Sequence, residues 1–330
     1  MFMGNKTLVN DIGDLKMMIK DINDKQLSME KSVKDLVRRN DRMVKALKNN
    51  ASLKENENNI CAISRNNMPY ITVDPIGKGG INYTFLINSK DAVMSEKMWG
   101  GYNGIQSEYE LHMFFELASK YYGITPRKDG MFVDVGGNIG TTSIMVKKIY
   151  PDMDVIAFEP GNDNRKVFAA NCILNDCEIT LIPKALGKTK ANMELVLSDE
   201  NMGNHRIKSG DVKGTKSENI KMTAFDDELK NMVDQIDYVW MDVEGYEGHV
   251  LEGMDECLKS GHFPIWMEFN PMMLTESGGL DSVYEILPSY FSKFIDRHES
   301  SDIRNIRDLK MIADELGYDG KATDIFLIRK

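Results

Sequence analysis

The sequence predicts an α/β fold, a doubly wound sheet flanked by helices, standing behind a long N-terminal coiled-coil helix. Three observations carry this expectation. Residues 5–50 repeat apolar positions every seven residues. From residue 131 short apolar segments alternate with helix-patterned ones. A glycine-rich turn joins the first of those strands to the first of those helices.

The heptads come first in the chain. With Ile12 at position a, the a series reads Ile12, Ile19, Gln26, Val33, Asn40, Leu47, and the d series Leu8, Leu15, Ile22, Met29, Leu36, Met43. An apolar seven-residue repeat keeps one seam facing a partner helix, and a single Asn at an a position commonly fixes register in parallel dimers. Residues 5–50 are therefore expected to self-associate, as a parallel dimer in preference to a trimer. A single amphipathic helix folded on its own domain is the structural alternative. An Asn-rich polar run at 49–59 breaks the pattern and reads as a linker. The expected division is a coiled-coil helix over 1–50, a linker and accessory or cap region over 51–128, and the α/β domain over 129–330. Within the middle region, 81–87 reads as extended and 109–122 as an apolar-faced helix.

Strands are expected at 131–135, 155–158, 179–182, 193–197, 238–243, 265–269 and 325–328, with helices at 141–150, 162–174 and 247–258. Several of these strands are continuous apolar runs, the mark of burial on both faces of a parallel sheet. Strand–helix alternation implies such a sheet, and its ligands bind beyond the carboxyl ends of the strands.

Composition narrows the function. The net charge of −10 is uneven, with 12 Lys/Arg against 9 Asp/Glu in residues 1–59 and 29 against 42 in the remainder. An acidic body argues against nucleic acid as a principal partner. No stretch approaches the roughly 20 apolar residues that span a bilayer, and no secretory signal is visible, so no transmembrane segment and a cytoplasmic location are expected. Cys61, Cys172, Cys177 and Cys257 fit neither zinc-site nor disulfide spacing and read as reduced thiols.

Four segments carry the chemistry. In Asp134-Val135-Gly136-Gly137-Asn138-Ile139-Gly140 an apolar strand enters a glycine-rich turn and then a helix, whose free N–H groups suit a ligand. The dinucleotide pattern G-x-G-x-x-G would need glycine at Val135, so the motif present is D-x-G-x-N-x-G. Its leading acid suits an amine-bearing ligand better than a pyrophosphate. The strand 155–158 then ends in Glu159, placed to accept hydrogen bonds from both hydroxyls of a ribose. That feature alone fits a nicotinamide cofactor or S-adenosylmethionine; the acidic start and missing glycine favour the latter. Met241-Asp242-Val243-Glu244-Gly245-Tyr246-Glu247 delivers three acids into a strand-to-helix turn, and Met267-Glu268-Phe269-Asn270 ends a further strand in an acid. His205 lies in a polar loop that can overhang such a site, a general-base candidate. Each has a structural alternative: a plain turn for 134–140, a helix cap for Glu159, backbone or cation partners for the other acids. No His accompanies the carboxylates at ligand spacing, so no metal is expected.

Taken in order, D-V-G-G-N-I-G, A-F-E-P, M-D-V-E-G-Y-E and M-E-F-N resemble the successive motifs of FkbM-type methyltransferases, over about residues 125–275. The resemblance implies a class I methyltransferase fold, Rossmann-like, of about seven strands with the last antiparallel. It implies S-adenosylmethionine as cofactor, and O-methylation of a hydroxyl on a sugar, a glycan or a small natural product. Carried over by motif, Asp134, Gly136, Asn138 and Gly140 line the methionine and ribose, Glu159 binds the ribose, and Asp242 and Glu244 lie near the methyl and its acceptor. Many members have Lys before that Asp; Met241 stands here, so any role of that Lys is absent. The catalytic base is then expected at Asp242 or Glu244, with His205 and Glu268 in reserve. The alternative is a coiled-coil scaffold whose domain binds the cofactor without turnover.

Overall fold

The computed structural model describes residues 70–74, 77–88, 105–198, 203–210, 212, 216–297 and 303–330. The heptads of 5–50 and most of the linker lie outside the described residues.

Alternation along the strands builds the domain. In β3 (Met131–Val135), β10 (Ile236–Met241) and β11 (Ile265–Phe269) odd and even residues point to opposite faces. Met131, Val133, Val135, Val239, Met241, Ile265, Met267 and Phe269 feed one apolar core. Phe132, Tyr238, Trp240 and Trp266 face the other way. With both faces apolar the sheet needs helices on both sides, which is what doubly wound means physically.

The main sheet runs β13 (Ile303–Asn305), β12 (Phe291–Asp296), β14 (Thr323–Arg329), β11, β10, β3, β4 (Asp154–Phe158), β5 (Thr180–Ile182), eight strands among the described residues against about seven expected. β3, β4, β5, β10 and β11 are mutually parallel. β14 inserts antiparallel between β11 and β12, and β13 pairs antiparallel at the edge. From β3 the chain winds outward through β4 to β5, then returns to β10 on the other side of β3. The carboxyl ends of β3 and β10 therefore open the crevice of a topological switch point.

The face carrying Phe132 and Trp240 is covered by α1 (Ile105–Tyr122). Its Phe114 is fully buried and its ring lies 5.7–5.9 Å from those of Tyr238, Trp240, Trp266 and Phe326. α1 belongs to the same compact unit as the sheet. On the opposite face, Phe225 and Leu229 pack from α4 (Phe225–Leu229), Val250, Leu251 and Leu258 from α5 (Glu247–Glu252) and α6 (Asp255–Ser260), and Leu287 from α8 (Leu280–Tyr290). The single helix expected over 247–258 is thus two, divided at Gly253 and Met254, and the break takes glycine because a Cβ at 253 would lie 2.1 Å from the Gly187 carbonyl oxygen.

A second, four-stranded sheet has the order β6-β9-β7-β8: β6 (Ala185–Leu186), β9 (Ser217–Thr223), β7 (Ala191–Val196) and β8 (Arg206–Ile207). The strand expected at 193–197 is β7 and belongs here, not to the main sheet. It holds its own small core of Leu195, Ile207, Ile220 and Met222. Tyr70–Val73 and Phe85–Asn88, β1 and β2, form a separate antiparallel pair. Among the described residues, no helix is long and apolar enough to cross a membrane.

Candidate active site

The crevice is built from the ends of β3, β4 and β10. After β3 the chain turns sharply, and the Gly136 and Gly137 N–H groups both donate to the Phe158 carbonyl at 3.1 and 2.9 Å. Gly136 adopts φ 97°, and a Cβ there would lie 1.8 Å from the Asp242 carbonyl oxygen. Glycine is required on both counts. Asn138 also sits in the left-handed region, at φ 47°. Its side-chain Oδ1 is buried without a hydrogen-bond partner. α2 (Thr141–Ile149) starts immediately behind.

Glu159, buried at the end of β4, ties this turn to the next. Its Oε2 accepts from the Asn138 N–H at 2.9 Å and its Oε1 from the Gly161 N–H at 2.7 Å. Asn164, in the first turn of α3 (Asn162–Leu174), approaches Oε1 at 3.5 Å. Helix capping and ligand binding are not exclusive here, since a carboxylate has about four lone-pair positions. Burial pushes the Glu159 carboxyl up to about 7, against the pull of those N–H donors.

One cavity of about 520 Å³, mouth included, is lined by Gly136, Asn138, Glu159, His205, Asp242 and Glu244. Its apolar wall is Phe158, Leu186, Leu195 and Ile207, so the second sheet forms the cover.

The region matching the family model described as the methyltransferase FkbM domain spans residues 134–318, over half the chain. The chain belongs to the FkbM methyltransferase family. Two curated relatives are Methyltransferase 1 of Beauveria bassiana (strain ARSEF 2860) and Methyltransferase sdnD of Sordaria araneosa. The first is 27% identical over 158 residues, covering 42% of this chain and 64% of that protein. The second is 28% identical over 155 residues, covering 38% and 60%. The chain thus spans under two thirds of the length of either. Among solved structures, the methyltransferase FkbM of Methylobacillus flagellatus KT is 16% identical over 72% of this chain and 55% of that one, with a TM-score of 0.36.

Not every motif residue of this FkbM chain reaches the cavity. Asp134 lies beneath the turn, buried, accepting from Ser143 Oγ at 2.5 Å, and burial pushes its carboxyl up to about 7. Gly140, at φ 88°, caps α2 against the Phe168 ring. Both shape the loop and neither lines the pocket. Met241 is fully buried in the apolar core, on the far side of the sheet from Trp240. Glu268 lies outside the cavity lining but close behind Asp242. One oxygen each from Asp242, Glu247 and Glu268 falls within 4.8 Å of the others.

Glu247, on the first turn of α5, is wholly buried, its Oε1 accepting from the N–H groups of Val243 (3.0 Å) and Gly245 (3.4 Å). Burial raises its carboxyl above the ordinary range. Glu268 is raised well above it, first by burial and then by the charges of Asp242, Glu244, Glu247 and Asp324. Glu244 itself holds φ 54°, and its carbonyl accepts from Arg206 Nε at 3.2 Å. Backbone held in this region at a site stores local strain. Arg206 also donates to Glu276 Oε2 at 2.5 Å and to the Met273 carbonyl at 3.3 Å, binding the cover to α7 (Pro271–Ser277). No local sequence signal marks Arg206, which opens the two-residue strand β8 behind a polar run. Asn164 was in principle legible, five residues after Glu159 on the helix that follows Pro160-Gly161.

Proposed function

We propose that the chain is an S-adenosylmethionine-dependent methyltransferase acting on a hydroxyl of a sugar, a glycan or a small natural product. The observation that supports this best is the crevice between β3 and β10, with a ribose-suited carboxylate on one wall and acids at its mouth. The chain's own residues fit the cofactor. Gly136 keeps the floor open, and Asn138 Oδ1 is a buried acceptor awaiting a donor. Glu159, with three donors on about four lone-pair positions, keeps one open for a ribose hydroxyl, and Phe158, Leu186, Leu195 and Ile207 suit a flat ring.

Bound S-adenosylmethionine supplies an already activated methyl group. The protein's task is then to align an acceptor oxygen behind that methyl, a proximity effect worth about 7–11 kcal/mol at best. Removal of the hydroxyl proton by a positioned base adds roughly 10²–10⁴-fold. Asp242 and Glu244 line the cavity, which supports either of them as that base. His205 takes a different part. The Ser198 N–H donates to its Nδ1 at 3.1 Å, so the neutral ring carries its proton on Nε2. His205 is therefore better suited to donate a hydrogen bond than to act as base. The acidic body favours neutral or cationic acceptors.

Calorimetric titration of S-adenosylmethionine, S-adenosylhomocysteine and NAD tests the reading, with Glu159→Ala alongside and circular dichroism to monitor folding. Both sulfur nucleosides should bind and NAD should not. Loss of the ribose hydrogen bond to this carboxylate should weaken their binding by about tenfold or more. A folded protein that ignores both sulfur nucleosides removes the proposal. Binding without transfer to any acceptor would support the scaffold alternative instead.

A further inference from the structure

We propose that Asp242, Glu247 and Glu268 form a binding site for one hard divalent cation. The three acids come from the ends of two neighbouring strands and the helix after one of them, and each presents an oxygen within 4.8 Å of the other two. Oxygens around one ion are separated by at most twice the metal–oxygen bond. For three donors equally spaced the limit is lower, about 3.6 Å for Mg²⁺ and about 4.3 Å for Ca²⁺, so a cluster spread to 4.8 Å closes on Ca²⁺ by a contraction of about 0.5 Å and on Mg²⁺ by about 1.2 Å.

Acids crowded together do not by themselves make a site. What points to a ligand is the state of two of them. Glu247 is 0% exposed; its Oε1 is held by two N–H groups, but its Oε2 is buried with no donor. Glu268 Oε2 is likewise buried and has no donor. Among the described residues neither forms an ion pair, although Lys and Arg pair with many other acids of the domain. Carboxylates withdrawn from water and left unpaired are costly, and more so beside one another. A small cation relieves both costs at once. A larger cation such as a substrate amine cannot reach Glu247, which is sealed from solvent. Donors that are all oxygen, with no His or Cys, select a hard ion over zinc or copper.

Sequence spacing could not anticipate this. Glu268 stands 26 positions beyond Asp242. Parallel pairing of β10 with β11, Trp240 opposite Trp266 and Met241 opposite Met267, carries the two to the same end of the sheet. Asp242 is exposed and lines the cavity, so an ion has a route in and coordination positions open toward the pocket. On the methyl-transfer reading, those positions would hold the acceptor oxygen, making Glu268 a ligand rather than a reserve base. That role rests on the reading; binding of the ion does not.

The test uses the full chain, stripped with chelator. Mn²⁺ is titrated and its free form followed by electron paramagnetic resonance, with Mg²⁺ and Ca²⁺ as competitors. Expected is one Mn²⁺ per chain at micromolar to submillimolar affinity. Glu268→Gln, nearly isosteric, should weaken it at least about tenfold while the fold persists by circular dichroism. If that variant does not fold, Asp242→Asn at the exposed position serves in its place. No binding of Mn²⁺, Mg²⁺ or Ca²⁺ at about 10 mM, ten times the weakest affinity of natural Ca²⁺ modules, overturns the proposal. So does binding that Glu268→Gln and Asp242→Asn leave untouched. Titrating S-adenosylmethionine into the same metal-free samples separates failure of the metal site from failure of the cofactor reading.

Discussion

Asp134 opens the family's first motif, yet its carboxylate faces Ser143 rather than the pocket, buried and raised to about 7. A folded-state pKa above the unfolded one means that, between the two values, only the folded protein holds the proton. Its contribution to stability is therefore present at low pH and declines as pH rises through about 4 to 7. Comparison with Asp134→Asn isolates this group. Measured by urea unfolding, the Asn variant should gain on the wild type as pH rises from about 5 to about 8, by at most about 1.4 kcal/mol per pH unit. A difference that is flat, or that moves the other way, contradicts it. Gly136 makes a blunter prediction. Any Cβ there meets the Asp242 carbonyl oxygen at 1.8 Å in a φ that L residues avoid. Gly136→Ala should cost about 3 kcal/mol or more and abolish cofactor binding, because the two strands that form the crevice must separate. Wild-type affinity in that variant would mean the turn is softer than its geometry implies.

At the scale of elements, two contacts decide how the site is held. Arg206 reaches from β8 across to the Glu244 carbonyl, Glu276 and Met273, and its side chain is 15% exposed. It is a positioning residue, fastening the second sheet over the cavity and holding Glu244 in its left-handed conformation. Arg206→Met keeps the stem and removes the hydrogen bonds. Cofactor affinity and amide-exchange protection in β7 and β8 should both fall, the affinity by about tenfold, with little change in the central strands. Uniform loss of protection would assign Arg206 a global role instead. The second contact is Phe114, whose ring meets five aromatic rings of the sheet, those of Phe132, Tyr238, Trp240, Trp266 and Phe326. Phe114→Ala should cost about 3–5 kcal/mol in unfolding free energy. That result would place α1 inside the folding unit, although the sequence pattern assigned 109–122 to an accessory region.

For the whole molecule, the heptads of 5–50 remain a proposal drawn from pattern. The full chain should sediment as a dimer, and Leu15→Asp with Ile22→Asp, two charges on one seam, should return it to monomer. A monomeric wild type would leave the repeat as an amphipathic helix. The α/β domain was legible from the same kind of pattern. Strands announce themselves as apolar runs, buried on both faces in β3, β10 and β11, so β3, β4, β5, β10 and β11 fall within two residues of expectation. β12, β13 and β9 do not, because their mixed polar sequences owe their strand form to the neighbours they pair with. The same division runs through the site. Glu159, Asn138 and Asp242 stand in local motifs, where chain direction alone carries a side chain to the end of a strand.

What the sequence by itself determined was the class of fold, the crevice-forming turns and the family, all of which depend on residues adjacent in the chain. Only the tertiary structure decided which acids meet. It turned Asp134 inward, drew Glu268 toward Asp242 and Glu247, and laid Leu195, His205 and Ile207 over the pocket. The physical reason is that strand pairing and sheet order join residues tens of positions apart, and no local periodicity records which strand will lie beside which.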